Sequence, residues 1–135
     1  MKYVLGLILL LTLTPSSEKK SFSILVADVA WESLELPGMP EGIEQRVLHN
    51  NKENQLISAI VKLPKGHQQP KHYHTMGHSD YVLKGRLRSP EGDLTPGMFL
   101  YFAANERHGP FIALEETELL FYTDGPFDFI VGDTE

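Results

Sequence analysis

From residue 20 onward the chain alternates between short apolar runs and clusters of turn-forming residues. The apolar runs fall at 55–63, 80–87, 98–103, 111–114, 118–122 and 127–131. Between them stand Asn50-Asn51, Pro64-Lys65-Gly66, Pro90-Glu91-Gly92-Asp93, Pro96-Gly97, Asn105 and Asp124-Gly125-Pro126. Strand-length apolar segments punctuated every eight to twelve or so residues are the pattern of an all-β sandwich or barrel. No stretch in this region keeps a helical period for three turns, and there is no internal repeat. The pattern predicts one closed or nearly closed antiparallel barrel over 46–135. Residues 18–45, with their Pro/Gly-punctuated segment LPGMPEG, read as a lead-in that wraps the surface or adds edge strands.

The first seventeen residues follow a different rule. MKYVLGLILLLTLTPSS has one lysine, Lys2, then an uncharged and mostly apolar run to Leu13, then small polar residues. This is the layout of a secretory signal peptide, and the run is too short to span a bilayer comfortably. It predicts export, to a periplasm or to the outside, with no stable membrane anchor after processing.

Composition narrows the function classes. The 135 residues include 12 Lys+Arg against 18 Asp+Glu, a net charge of −6, and no basic cluster. Such a surface repels phosphate backbones and argues against nucleic acid as a partner. The chain has no cysteine, which removes disulfide frameworks, thiolate metal sites, cysteine nucleophiles and iron–sulfur clusters together. Neither a Gly-x-Ser-x-Gly nucleophile motif nor a glycine-rich phosphate loop is present.

The chemistry therefore rests on histidine. Of six, His49 and His67 read as ordinary surface or core residues. His72, His74, His78 and His108 are the candidates. Alternate residues of a strand share a face, so His72 and His74 point the same way with backbones about 6–7 Å apart. Gly77 then supplies a turn that returns His78 on the next, antiparallel strand, and His108 follows an Asn-containing turn. Imidazole suits zinc, iron, copper or nickel and disfavours calcium or magnesium, so convergent histidines predict a transition-metal site.

The segment GHQQPKHYHTMGHSDYVLKG resembles the first motif of the cupin superfamily, with Gly66, His72, His74 and Gly85 on its fixed positions. The second motif is matched by Gly97, then MFLYF, then Ala103-Ala104-Asn105, then His108, with Asn105 taking the place of a glycine that provides a positive φ. The resemblance implies a single antiparallel jelly-roll barrel, metal held by His72, His74 and His108, and pairing of barrels into a homodimer. Cupins usually carry glutamate where this chain has His78. That residue is expected as a fourth ligand or as a donor behind the ligands, with Asp80 as the reserve carboxylate. An all-imidazole set leaves the ion's charge in the pocket and favours anionic oxygen ligands such as an enolate, a β-diketonate or a hydroxyketone.

More narrowly, the chain resembles small cupins related to acetylacetone- and dihydroxyacetophenone-cleaving dioxygenases, and also the cupin half of ChrR-type anti-sigma factors. The first likeness implies a mononuclear metal-dependent dioxygenase acting on a small ketone or diketone. Iron is the first expectation for its metal, with zinc, nickel, copper or manganese behind it. The second implies a non-enzymatic metal- or ligand-binding module. Tyr81, Phe99, Tyr101, Phe102 and Phe111 are the aromatic residues expected to line a pocket.

Overall fold

The computed structural model describes residues 20–132. Twelve strands follow a short 3-10 turn at Val26–Asp28: β1 (Glu32–Ser33), β2 (Glu44–Asn51), β3 (Leu56–Leu63), β4 (Gln68–Gln69), β5 (His72–Tyr73), β6 (His78–Lys84), β7 (Leu87–Ser89), β8 (Gly92–Leu94), β9 (Phe99–Phe102), β10 (Phe111–Ala113), β11 (Thr117–Thr123) and β12 (Ile130–Val131). There is no α-helix among the described residues. The strands form a six-stranded sheet ordered β1-β2-β3-β11-β6-β9, a four-stranded sheet β4-β10-β7-β8, and a β12-β5 pair. Every pairing is antiparallel. The architecture is the all-β jelly roll that the strand pattern and the cupin motifs predict. The secretory leader expected at 1–17 lies outside the described residues.

Period-two patterning decides which side chains enter the barrel. On β11, Thr117, Leu119, Phe121 and Thr123 are buried while Leu120 and Tyr122 face out. They meet Ala59, Val61, Leu63 and Val82 of the flanking strands, with Leu87, Leu94, Phe111 and Ala113 closing the core from the opposite sheet. Each such aliphatic or aromatic side chain contributes about 1.5–3 kcal/mol on burial. On β6 the inward face changes character along its length, from His78 and Asp80 at one end to Val82 at the other. The inward face of β6 is thus polar at its His78 end and apolar at Val82.

The lead-in belongs to this core. β1 pairs with β2, Ile43 is 1% exposed, and Leu34 and Met39 pack against the same cluster. Trp31 lies under the Arg46 guanidinium and the Lys62 ammonium, 4.4 and 4.1 Å from its ring centre. Ile60, aligned with Arg46 on the outer face of the large sheet, is buried although it points away from the barrel.

Gly85 shows why the first motif ends in glycine. Its φ is +87°, and an added Cβ would collide with the carbonyl oxygen of Glu116 and lie 2.7 Å from Thr117 Cα. Asn105 adopts φ 63°, the left-handed conformation expected of it, and donates its N–H to the His74 carbonyl at 2.8 Å.

One expectation fails. His72 and His74 do not sit on the strand beside His78. β5 pairs instead with β12, and it bridges His108 through a reciprocal pair of backbone bonds at 3.0 and 2.9 Å. Residues 75–77 cross from that pair to the large sheet, where β6 lies between β11 and β9. Gly77 is needed for close approach rather than for a turn conformation. A Cβ there would come within 2.6 Å of the Tyr101 hydroxyl and 2.7 Å of the Asp124 carboxylate.

Candidate metal centre

His72, His74 and His108 converge at the polar end of the barrel. Each offers one ring nitrogen, and these atoms all lie within 4.8 Å of one another. Backbone geometry brings them together: the His72–His108 bridge aligns two of them, and Asn105 ties the loop before His108 to His74. His72 and His74 are nearly fully buried, and His108 is partly so.

The second nitrogen of each ring settles the tautomer. His72 Nδ1 donates to the Pro70 carbonyl at 2.7 Å, His108 Nδ1 to the Glu106 carbonyl at 3.1 Å, and His74 Nδ1 to the Asp128 carbonyl. A carbonyl can only accept, so the proton of each neutral ring sits on Nδ1 and the Nε2 lone pair is free. The anchoring of His74 extends further. The Asp128 carboxylate accepts the Thr75 backbone N–H at 2.8 Å and the Thr75 hydroxyl at 2.7 Å. Carbonyl-anchored imidazoles of this kind are the usual support of histidines that bind metal.

Phenylalanine rings plate the imidazoles. Phe129 stacks on His72 at 4.0 Å between centroids, Phe127 on His74 at 4.5 Å, and Phe102 lies against His78 at 5.0 Å and His108 at 4.3 Å. Burial among these rings pushes His74 down to about 4 and His108 down to about 3, with the neighbouring imidazoles adding to the effect, and lowers His72 as well. The cause is desolvation of the charged form. The site is therefore neutral and carries free lone pairs over the whole physiological range.

The donor set fits a transition ion. His74 Nε2 and His108 Nε2 stand 3.2 Å apart. Two nitrogens each about 2.1 Å from one ion are about 3.0–3.4 Å apart in octahedral or tetrahedral geometry. A cavity of about 70 Å³ adjoins the three rings and also reaches His78 and Asp80. That is room for a few water-sized groups, since one water takes roughly 10–15 Å³ by this measure.

His78 is not in the close set. Its Nε2 faces Asp80 Oδ2 at 3.4 Å, and both residues are buried. Of the expected aromatic lining, Phe102 and Phe111 face the cavity. Tyr81, Phe99 and Tyr101 do not, being 42, 66 and 56% exposed on the outside of the large sheet. Strand parity is the reason. Once His78 and Asp80 point inward Tyr81 must point out, and Leu100 and Phe102 inward put Phe99 and Tyr101 out. Phe121, Phe127, Phe129 and the Asp128 anchor escaped the sequence reading. The alternation of Phe127 and Phe129 in the last apolar run was the available signal. His49 is exposed beside Phe22, and His67 is buried outside the cluster.

A model of the ChrR cupin-like domain matches residues 19–128. A candidate acetylacetone dioxygenase from Methylibium petroleiphilum PM1 superimposes with a TM-score of 0.73 at 22% identity, over 89% of this chain and 88% of that one. An acetylacetone dioxygenase from Acinetobacter johnsonii superimposes at 0.67 and 17% identity, over 100% of this chain and 88% of that one. At these identities the likeness is one of fold. Among curated sequences, the DNA damage-repair/toleration protein DRT102 of Arabidopsis thaliana is 32% identical over 82 residues, which are 56% of this chain and 26% of that protein. The chain thus spans about a quarter of the length of that relative.

Proposed function

The chain belongs to the ChrR cupin-like domain family, and from that premise we propose that it is a metal-dependent dioxygenase of a small ketone or diketone. His72, His74 and His108 would hold the divalent transition ion, iron before zinc, nickel, copper or manganese. The observation that carries the reading is the convergence of three Nε2 lone pairs, each fixed by an Nδ1 bond to a carbonyl. Bound there, a redox-capable ion would supply polarisation of a substrate carbonyl and activation of dioxygen.

The remaining work falls to the protein. The phenylalanine plates hold the rings in place and keep bulk water from the ligands. The small cavity restricts the occupant to a few carbon atoms, and an all-neutral ligand set favours an anionic oxygen beside the ion. The fold likeness to the two acetylacetone dioxygenase structures supports this substrate class. Elemental analysis of the purified protein, followed by oxygen uptake with a panel of small ketones and diketones, tests the reading. Stoichiometric iron with no oxygen consumption on any member of the panel would overturn the enzyme and leave the metal site.

A second reading is a metal- or ligand-binding module without turnover, and the match to the ChrR cupin-like domain supports it. Stoichiometric zinc and no catalysis would select it. A homodimer is part of the proposal. Its support is a row of outward residues aligned across three strands, Leu120, Tyr81 and Phe99, beside Tyr122 and Tyr101, all of them exposed.

A further inference from the structure

We infer that Leu34 and Met39, carried on the loop between β1 and β2, gate the metal cavity and set the size of ligand it admits. The inference rests on the proposed metal site and deepens it, by naming the residues that choose among small ketones and diketones.

Both side chains line the cavity that adjoins the three clustered imidazoles. Both also border a hollow of about 360 Å³ on the outside of the molecule, beside the exposed Glu35, Pro37 and Glu41. Each is half-buried. At this point the wall between cavity and solvent is one side chain thick.

The cavity of about 70 Å³ takes only a few water-sized groups. A longer ligand therefore enters only where the wall gives way, and most of the wall is fixed. Val61, Leu87 and Phe121 stand on paired strands, and displacing them would break sheet hydrogen bonds. Phe127 and Phe129 are stacked on His74 and His72.

Leu34 and Met39 are held differently. The loop is closed at its base by the Leu34 N–H, which donates to the Ile43 carbonyl at 2.9 Å, and Ile43 is 1% exposed. From Glu35 to Gly42 one backbone bond is made among the described residues, from the Met39 N–H to the Leu36 carbonyl at 3.0 Å. A segment with few hydrogen bonds opens locally at low cost. Gly38 and Gly42 take φ of +81° and +98° and give the loop two hinge points. The Gly38 backbone lies against the Phe129 carbonyl, where a Cβ would stand 3.5 Å from the oxygen, and Phe129 in turn stacks on His72 at 4.0 Å. Met39 follows directly. Its unbranched side chain has three rotatable bonds and repacks easily.

The test uses the full chain loaded with cobalt(II), whose visible spectrum reports ligand binding. Stopped-flow mixing with acetylacetone and with the bulkier 1-phenylbutane-1,3-dione gives association and dissociation rates. Met39→Ala is expected to speed association of the phenyl diketone about tenfold or more while changing that of acetylacetone much less, because a pocket wall discriminates by size on this scale. Met39→Trp is expected to slow association and dissociation of acetylacetone together, so that affinity changes less than either rate. Both variants are expected to keep one cobalt per chain, with the fold checked by circular dichroism. If Met39→Trp does not fold, Met39→Ala alone decides. Unchanged rates for both ligands in Met39→Ala overturn the inference. So does a Met39→Trp chain in which dissociation alone changes, which would make Met39 a wall contact and not a gate. Cobalt lost from Met39→Ala overturns it too, since Met39 would then be a ligand. A native chain that takes up no cobalt or other transition ion overturns the proposed function itself, and the inference with it.

Discussion

His74 Nε2 and His108 Nε2 face each other at 3.2 Å, and neither carries a proton, because each ring has committed its proton to a carbonyl through Nδ1. Two lone pairs at that distance repel unless a cation stands between them. The contact is favourable only as part of a metal site or in a singly protonated pair, and burial disfavours the latter.

Loss of any one of the three clustered rings should therefore abolish stoichiometric metal. His72→Ala, His74→Ala and His108→Ala are each expected to weaken binding by more than the 10–100-fold that follows loss of an outer partner. Metal content after dialysis, measured beside circular dichroism to confirm the fold, checks this. Full retention in a His108→Ala chain would remove His108 from the site.

Acidification should spare metal binding for longer than at an ordinary histidine site. Free imidazoles titrate near 6.5, whereas burial pushes His74 down to about 4 and His108 down to about 3. Protons thus compete little for His74 and His108 at pH 5, and for those two rings the competition sets in only as the pH approaches 4. Stability of the metal-free fold behaves differently. Its folded-state pKa values lie below the unfolded ones, so these rings favour the fold fully above about 6.5 and progressively less as the pH falls toward 4. Equilibrium dialysis and thermal melts between pH 4 and pH 8 separate the two effects. A metal affinity that already drops between pH 7 and pH 6 would contradict the shifted values.

Asp128 positions His74 without touching the centre. Its carboxylate holds the Thr75 N–H and hydroxyl while its carbonyl accepts from the ring. Asp128→Ala should weaken metal binding about 10–100-fold and cost about 1–2 kcal/mol of stability. Asp128→Asn, which keeps one amide oxygen as an acceptor, should fall between. Metal affinity and denaturant midpoints for the two variants give the order, and identical metal affinities in both variants and the native chain would show that the anchor is dispensable.

The lead-in and the end of the first motif should both matter to the fold. Ile43→Ala removes a side chain that is 1% exposed in the core and is expected to cost about 2–4 kcal/mol. Gly85→Ala combines a positive φ with a collision against the Glu116 backbone and should cost more than about 3 kcal/mol. Urea denaturation measures both. A near-neutral Ile43→Ala would place the lead-in outside the folding unit.

The outer face of the large sheet gives a test of assembly. Phe99 and Tyr101 are 66 and 56% exposed on the edge strand β9. Light scattering on the native chain should report twice the chain mass, and a Phe99→Glu/Tyr101→Glu double variant should report the monomer. A native monomer at micromolar concentration would remove the dimer from the proposal.

The strand content, the single barrel and the triad of His72, His74 and His108 were legible in the sequence. They depend on local signals: period-two alternation, turn residues at fixed offsets, and short motifs whose glycine and asparagine positions answer to φ. Parity alone would also have put Tyr81 outside once His78 was placed inside. What only the tertiary structure decided are the pairings between segments far apart in the chain. These pairings take β5 to β12 and to His108 rather than to β6, and they lay Phe127 and Phe129 on the imidazoles. They also seat His78 beside Asp80 rather than in the close set. A strand's own pattern says which side chains share a face. The partner across the sheet is chosen by burying all the inward faces together, and no local stretch of sequence carries that sum.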